Sequence, residues 1–539
     1  MDFSMHIIKR IFQFACISAI LAGCSGGPRQ TKWYSEYDNG PVSAPATLQY
    51  GTFASDMYGS SDSDKKIAVL LPTSGSHAAV GKTIRPGIEA AIMRFAPNGL
   101  NVRFYDIGNQ NITTTIQSVL NDDPDVIVGP VFAENAKILR DMKSSSIPAL
   151  AFTSDFSAVG NGVISMALMP TNTIEATIQS MQSNGTKNFI IIAPDTASGR
   201  TMAGAAYTIG EIYNIINKGV FYYTEHDTES IKAAAMAASM YTARNAASTR
   251  AKEILSGILN HENLSYSEKT SLSKQLEKVN RTDTLGDLPY DSILFLGSGD
   301  DTKSLASFLR YYGVGVRDTV FYGTPLWEGT NIASDITMTG AMFATMPDIS
   351  TDFSNLYSTA TGTDANRMAA IGYDATILAI GALYGNRDIP AYIMNPSGYV
   401  GANGLFRLRS NGANERALQI VRLNGDGTTS VVKPAQTNFA SPIYTSALNY
   451  ISPVSAISLS SGGVNPMNYI NIPERFRGKY RSKTYGANYS SAANNITEIS
   501  SATIITNNDD GFSMTAEDYK PVPLENVSRT YIDSVEITE

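Results

Sequence analysis

Gly81-Lys82-Thr83, shortly after an apolar run that stops at Pro72, has the residue types of a phosphate-binding loop, in which successive amides of a glycine-rich turn point at phosphate oxygens. The spacing fails. GxxxxGK[ST] needs a glycine where Ser76 stands, and Gly75 is one residue too early. Gly297-Ser298-Gly299 offers a serine between glycines but lacks the full G-x-S-x-G elbow, and no histidine pattern marks a base for it. Asp122-Asp123 and Asp300-Asp301 are adjacent carboxylates, a spacing that more often begins or ends helices than shares a proton. Beyond the N-terminal apolar run only His77, His226 and His261 remain, with no cysteine near them and no H-x-x-x-H spacing, so there is no zinc-ligand set. The expectation is a non-enzymatic chain without cofactor or metal.

The elements that would position these residues begin at Lys66. Lys66-Ile67-Ala68-Val69-Leu70-Leu71 is a continuous apolar run, as in a parallel strand covered on both faces, and Pro72 forbids its extension. Val80, Ile84, Ile88, Ala91, Ile92 and Phe95 then recur at spacings of three and four, which places one apolar stripe on a helix. Further strand-like runs alternate with helical stretches at 102–107, 126–128, 149–152, 189–193, 220–223, 293–296, 320–322 and 341–344. This alternation predicts an α/β protein with parallel sheets wrapped by helices, in two doubly wound lobes with a cleft between them. A β-hairpin, 417–423 and 428–432, turns through Asn424-Gly425-Asp426-Gly427, and Pro434 ends it.

The ends read differently. Lys9 and Arg10 precede an apolar run, Ile11 to Ala22, that is too short to span a membrane and reads as an export signal. It ends Leu21-Ala22-Gly23-Cys24, which resembles the lipobox of bacterial lipoproteins. That resemblance implies signal-peptide residues 1–23, a lipidated Cys24 and, from Ser25, sorting to the outer membrane. An ordinary secretory signal with an incidental cysteine is the alternative. With only Cys16 and Cys24, the mature chain could form no disulfide. Residues 24–64 have little apolar periodicity and read as a flexible tether, spanning on the order of 35 Å as a coil. Residues 435–539 are dominated by Ser, Asn, Thr and Tyr and read as a largely disordered tail. Within it, Arg475, Arg477, Lys479, Arg481 and Lys483 interleave with Phe476, Tyr480 and Tyr485, either a solvated tail or a grip for an anionic or sugar-rich surface. A net charge of -8 argues against nucleic acid as a partner.

Several segments, KIAVLLPTSGSHAAVG, VIVGPVFAENA, IPALAFTS, GDLPYDSILFLG, Gly372-Tyr373-Asp374-Ala375 and Gly404-Leu405-Phe406-Arg407, resemble the type I periplasmic-binding-protein fold of leucine/isoleucine/valine receptors. Within it the chain looks most like lipoprotein activators of penicillin-binding proteins. The resemblance covers residues 65–434 and implies three crossings between lobes, near Met169, Gly329 and Pro396. Lobe one would then be 65–169 and 330–395, and lobe two 170–329 and 396–434. The stretch 224–290 is longer than a parallel crossover needs and reads as two helices projecting from lobe two, or else as lengthened crossover helices.

The same resemblance implies a cleft at the carboxyl ends of the strands. In amino-acid receptors hydroxyls and amides on the lobe-one turns hold the ligand's carboxylate. The matching residues here are Thr73, Ser74 and Ser76, then Phe132 and Glu134, then Thr153 and Ser154. The second turn departs, because Phe132 and Ala133 stand where small hydroxyl residues are expected and Glu134 would repel a carboxylate. From lobe two, Asp195, Arg200, Trp327 and Glu328 could close over a small-molecule ligand or instead cap helices and pack the interface. The implied activity is that of a periplasmic lipoprotein, held to the membrane by its lipid, that binds and stimulates a peptidoglycan synthase (a penicillin-binding protein). The alternative is a substrate-binding protein of an ABC importer for an amino acid or other small polar solute.

Overall fold

In the computed structural model, β1 (Ala46–Thr47) precedes β2 (Lys65–Leu71), whose residues from Ile67 to Leu71 are buried because apolar side chains meet cover on both faces of the strand. The structure describes residues 42–48, 65–97, 99–109, 111–315, 319–385, 388–439, 452–459, 463–480 and 484–485. Cys24, the expected signal peptide, most of the expected tether and residues 486–539 lie outside them. After β2 come α1 (Ala78–Phe95), β3 (Leu100–Asp106), α2 (Ile112–Asn121), β4 (Val126–Val128), α3 (Ala133–Met142), β5 (Ala149–Ala151) and β6 (Val163–Ser165). The five strands β2 to β6 form a parallel sheet in the order β3-β2-β4-β5-β6. The helix Arg367–Tyr384 packs directly on α1. A Cβ on Gly87 would lie 1.9 Å from the Ala369 carbonyl oxygen, so only glycine permits the approach.

Lobe two is built from α4 (Pro170–Ser183), β7 (Asn188–Pro194), α5 (Ala197–Ile212), β8 (Ile216–Tyr223), α6 (Thr228–Ala238), α7 (Tyr241–Leu259), α8 (Tyr266–Asn280), β9 (Ser292–Phe295), α9 (Gly299–Tyr311), β10 (Val320–Gly323) and β11 (Met342–Thr345). Then α10 (Thr351–Thr361), α11 (Arg367–Tyr384) and α12 (Ile389–Ile393) return to lobe one, where Phe353, Ile377 and Ile393 share a core with Ile67 and Val69. They lead into β12 (Tyr399–Gly401), β13 (Gly404–Leu408) and β14 (Asn414–Arg416), and the hairpin β15 (Gln419–Leu423) and β16 (Thr429–Lys433) closes the run in the lobe-two sheet. That sheet has the order β16-β15-β11-β10-β9-β7-β8.

Two crossings differ from expectation. β11 pairs in parallel with β10, Tyr322 opposite Met342, so the chain stays in lobe two past Gly329 and leaves it at Met346-Pro347. β12, β13 and β14 join β1 in a four-stranded sheet, and Tyr399, Phe406 and Leu408 share the lobe-one core. The last crossing therefore falls at Ala417, not at Pro396. Apolar runs mark strands, but which sheet a strand joins depends on partners remote in sequence. For the same reason part of the expected tether is a strand: Ala46 and Thr47 pair with Tyr399 and Val400, and Leu48 is buried.

The stretch 224–290 holds three helices instead of two. Ile231, Ala234 and Ala238 of α6 pack on Phe221 and Tyr223 as an ordinary crossover helix would, while α7 and α8 are the surplus pair. Ser265 and Glu268 start α8 with a capping box. Ile254, Leu255 and Ile258 of α7 and Leu272 and Val279 of α8 share a small core with Ile470, Ile472 and Phe476. A short helix, α13 (Glu474–Arg477), carries Phe476, and Ile457 bridges Val220 at the free edge of β8. The described residues between 452 and 485 thus pack against lobe two, while the greater part of 435–539, which the sequence reads as largely disordered, lies outside the described residues. Their few apolar side chains are too scattered to show a period, yet Leu459, Val464, Ile470, Ile472 and Phe476 are buried against other segments.

Candidate functional site

β2, β4 and β5 are parallel neighbours, so the turns that follow them emerge along one edge of the lobe-one sheet. At the first turn the amides of Thr73 and Ser74 donate to Asp106 Oδ1 at 2.8 and 3.2 Å, and the Gly108 amide donates to the same oxygen at 2.9 Å. Burial alone would raise the Asp106 pKa, but hydrogen bonds from Ser74, Gly108 and Thr73 outweigh it and hold the carboxyl down at about 2. The amides that a ligand carboxylate would use already have one from the protein. Asp106 was not singled out from the sequence, since an acid that ends an edge strand carries no motif. Ser76 is exposed at this turn.

The second turn closes against the first. Phe132 and His77 lie ring to ring with centroids 4.8 Å apart, and Phe132 packs on the lobe-one core. Glu134 is exposed in the first turn of α3, where a carboxylate suits the positive end of the helix. At the third turn Thr153 is buried and its hydroxyl accepts the Asp155 amide at 3.1 Å, while Ser154 is exposed. The lobe-one candidates lie on turns that leave one edge of the sheet. Thr73 and Ser74 nevertheless point their backbone inward at Asp106, and Thr153 serves its own turn.

The lobe-two candidates separate. Arg200 Nε donates to Asp195 at 2.7 Å and its guanidinium lies 4.5 Å from the Tyr222 ring, whose hydroxyl donates to the Val454 carbonyl at 2.6 Å. That pair holds the C-terminal segment. Trp327 is 1% exposed and packs edge-on to Phe343 at 5.6 Å; a Cβ on Gly323 would come 2.1 Å from its ring, so it is core and closes over nothing. Glu328 is half-buried and accepts hydrogen bonds from Thr345 and, at 3.1 Å, from Arg367 of α11.

The carboxyl ends of β8, β9 and β10 gather a set of polar groups, of which Ser298, Asp301 and Trp327 stand out in the sequence and Tyr223 and Thr324 do not. The Tyr223 hydroxyl, Ser298 Oγ, Asp301 Oδ2, Thr324 Oγ1 and Trp327 Nε1 are buried without a protein partner. The Tyr223 hydroxyl packs so close to Gly297 that a Cβ there would lie 1.8 Å away, and burial pushes its pKa up. Tyr223 and Thr324 carry no motif, because the pairing of a hydroxyl is invisible in sequence. Among the described residues no group of three or more His, Cys, Asp or Glu could hold a metal ion, and no helix is long and apolar enough to cross a membrane.

Two α/β lobes joined by three crossings match, at a TM-score of 0.51 and 14% identity, a solved structure of a putative branched-chain amino acid ABC transporter from Rhodospirillum rubrum, over 69% of this chain and all of that one. The fold is that of the type I periplasmic binding proteins. Residues 44–209 match the family described as "LppC putative lipoprotein". The chain is also similar to the penicillin-binding protein activator LpoA of Mannheimia succiniciproducens, 25% identical over 166 residues, which are 30% of this chain and 28% of that one. The chain therefore spans under a third of that relative's length. A solved LpoA C-domain from Haemophilus influenzae, described as a regulator of PBP1A, aligns over 68% of this chain and 100% of its own, at 16% identity and a TM-score of 0.46.

Proposed function

We propose that this chain is a non-enzymatic, lipid-anchored protein of the cell envelope that binds and activates a penicillin-binding protein, lipidated at Cys24 and held at the outer membrane. The similarity of 166 residues to a curated penicillin-binding protein activator is the observation that carries this reading. The first lobe-one turn supports it from the other side. A receptor for a carboxylate-bearing solute needs free amides there, and those of Thr73 and Ser74 are given to Asp106. Pull-down from envelope extracts and glycan-polymerisation assays with each penicillin-binding protein test it. Retention of one synthase together with faster polymerisation is expected, and neither association nor stimulation with any of them would sink it.

The second reading, a solute-binding component of an ABC importer, draws on the unpartnered hydroxyls at the carboxyl ends of β8, β9 and β10. A small polar molecule could pair with them where a carboxylate is excluded from lobe one. Isothermal titration against amino acids and neutral polar solutes decides it, with a saturable site weakened by Thr324→Val in its favour.

A further inference from the structure

The chain passes between the two sheets around 166–170, at Met346-Pro347 and around 416–419, and two sets of side-chain contacts reach these passages, one at the second and one joining the first and third. The set at the second passage is based on α11. Asp374, fully buried on that helix, accepts the amides of Ala402 at 2.6 Å and Asn403 at 3.4 Å, and Gly401 is required beside it because a Cβ would lie 2.5 Å from the carboxyl carbon. Asn403 Nδ2 donates back to the Arg367 carbonyl at 3.2 Å. The Arg367 guanidinium donates to the carbonyls of Pro347 at 2.9 Å and Met346 at 3.1 Å, which is the second passage, and to Glu328 of lobe two at 3.1 Å.

The other two passages are tied to each other. Arg416, 5% exposed at the end of β14, donates to the Met166 carbonyl. Asn414 donates to the carbonyls of Ser165 at 2.9 Å and Ala167 at 2.6 Å, and Asn172 of α4 donates to the Asn414 carbonyl at 3.1 Å. Arg416 and Asp374 are both buried but form no ion pair with each other, and Arg416 Nε and Nη1 are without a hydrogen-bond partner. Burial pushes Asp374 up to about 6, opposed by the Ala402 amide and by Arg416, and lowers Arg416 to about 10, opposed by Asp374. Opening the first or third passage would strip buried Arg416 and Asn414 of their carbonyl partners on 165–167, so this set does not open in normal use. Glu328 and Arg367 are different, with side chains 31% and 27% exposed.

We propose that the two lobes are bolted into one platform of fixed angle, with the Asn414 and Arg416 contacts to residues 165–167 as the permanent hinge block and the Glu328–Arg367 ion pair as the releasable bolt between lobes. Rotating lobe two about the passages would pull Glu328 away from a guanidinium that the carbonyls of Met346 and Pro347 hold in place. A protein that closes on a ligand needs that freedom. A protein that presents a composite surface to a macromolecular partner gains by losing it, because less order is lost on binding. The inference stands on the hinge geometry and holds whichever partner the protein has.

Spin labels on keto side chains installed at Met93 of α1 and Ile212 of α5, 72% and 44% exposed, report the distance between lobes by pulsed electron resonance while leaving the cysteines untouched. One narrow distance population is expected for the otherwise unaltered protein. Glu328→Gln should add a second, longer population, and Arg367→Lys, which keeps the charge but loses the fork, should add a smaller one. Amide-exchange protection of β2 and β9 shows that each lobe stays folded, and should one variant lose it the other is read. A broad distribution in the unaltered protein, or an unchanged narrow one in the folded variants, overturns the bolt. Neither result bears on synthase activation, which is measured separately.

Discussion

The backbone amide of Thr73 donates to the carboxylate of Asp106 at 2.8 Å, so the turn that would meet a ligand carboxylate is already engaged by an acid of the neighbouring strand. Ser74 and Gly108 share that oxygen, and three charge-assisted bonds converge on one side chain.

Asp106→Ala is expected to lower stability by about 1–3 kcal/mol, the range for losing hydrogen bonds to a charged group. The sign with pH follows from the depressed pKa. The Asp106 contribution is present above about 3.9, the ordinary aspartate value, and is lost as pH falls through about 2. Urea midpoints of both proteins at pH 7 and through the acid range check this, and a difference that persists unchanged at the lowest pH would contradict it.

Lys143 offers the opposite case. It is 5% exposed, its ammonium donates only to the carbonyls of Ser144 and Asn161, and burial lowers its pKa to about 7. The unfolded lysine keeps its proton to about 10, so between about 7 and 10 the unfolded chain binds more protons and stability should rise with pH. Lys143→Met should flatten that rise and be the more stable protein near pH 7. Denaturant midpoints at pH 7 and 9.5 for the two proteins measure the difference.

Arg475 grips Glu268 through both oxygens, at 2.6 and 2.9 Å, and the Arg475 fork, with the Ser265 cap, holds the carboxyl of Glu268 at about 2. Glu268→Arg or Arg475→Glu alone should speed amide exchange in residues 463–480 and in α8, and the double reversal should restore protection in the segment. Equal protection in all four proteins would mean that the apolar contacts of Ile470, Ile472 and Phe476 suffice without the ion pair.

Gly87→Ala should be among the most damaging single-methyl changes. The added Cβ would meet the Ala369 carbonyl at 1.9 Å, backbone against backbone, where neither helix can yield by a side-chain rotation. A loss of about 1–3 kcal/mol or more is expected from overpacking. Gly185→Ala is the comparison, since open space surrounds that position and its cost should come from its positive φ alone. A thermal scan of both variants checks the ranking.

The strands that could be read from residues were those covered on both faces, such as Ile67–Leu71 and Val126–Val128, because such strands must be apolar at every position. β1 and β6 escaped notice: two and three residues are too few for any period, and β1 exists only because Tyr399 and Val400 offer it an edge. Trp327 shows the limit for sites. Its type suits a ligand clamp as well as a core, and only its packing against Gly323 and Phe343 separates the two.

By itself the order of residues determined the alternation of strand and helix, the three lobe-one turns and the surplus length before β9, since local patterning and chain connectivity are properties of contiguous sequence. Tertiary structure alone decided that β11 stays in lobe two, that Asp106 occupies the first turn, that the segment bearing Phe476 belongs to the body, and that Glu328 meets Arg367. Each joins residues tens to hundreds of positions apart, and long-range pairing leaves no period in the chain to read.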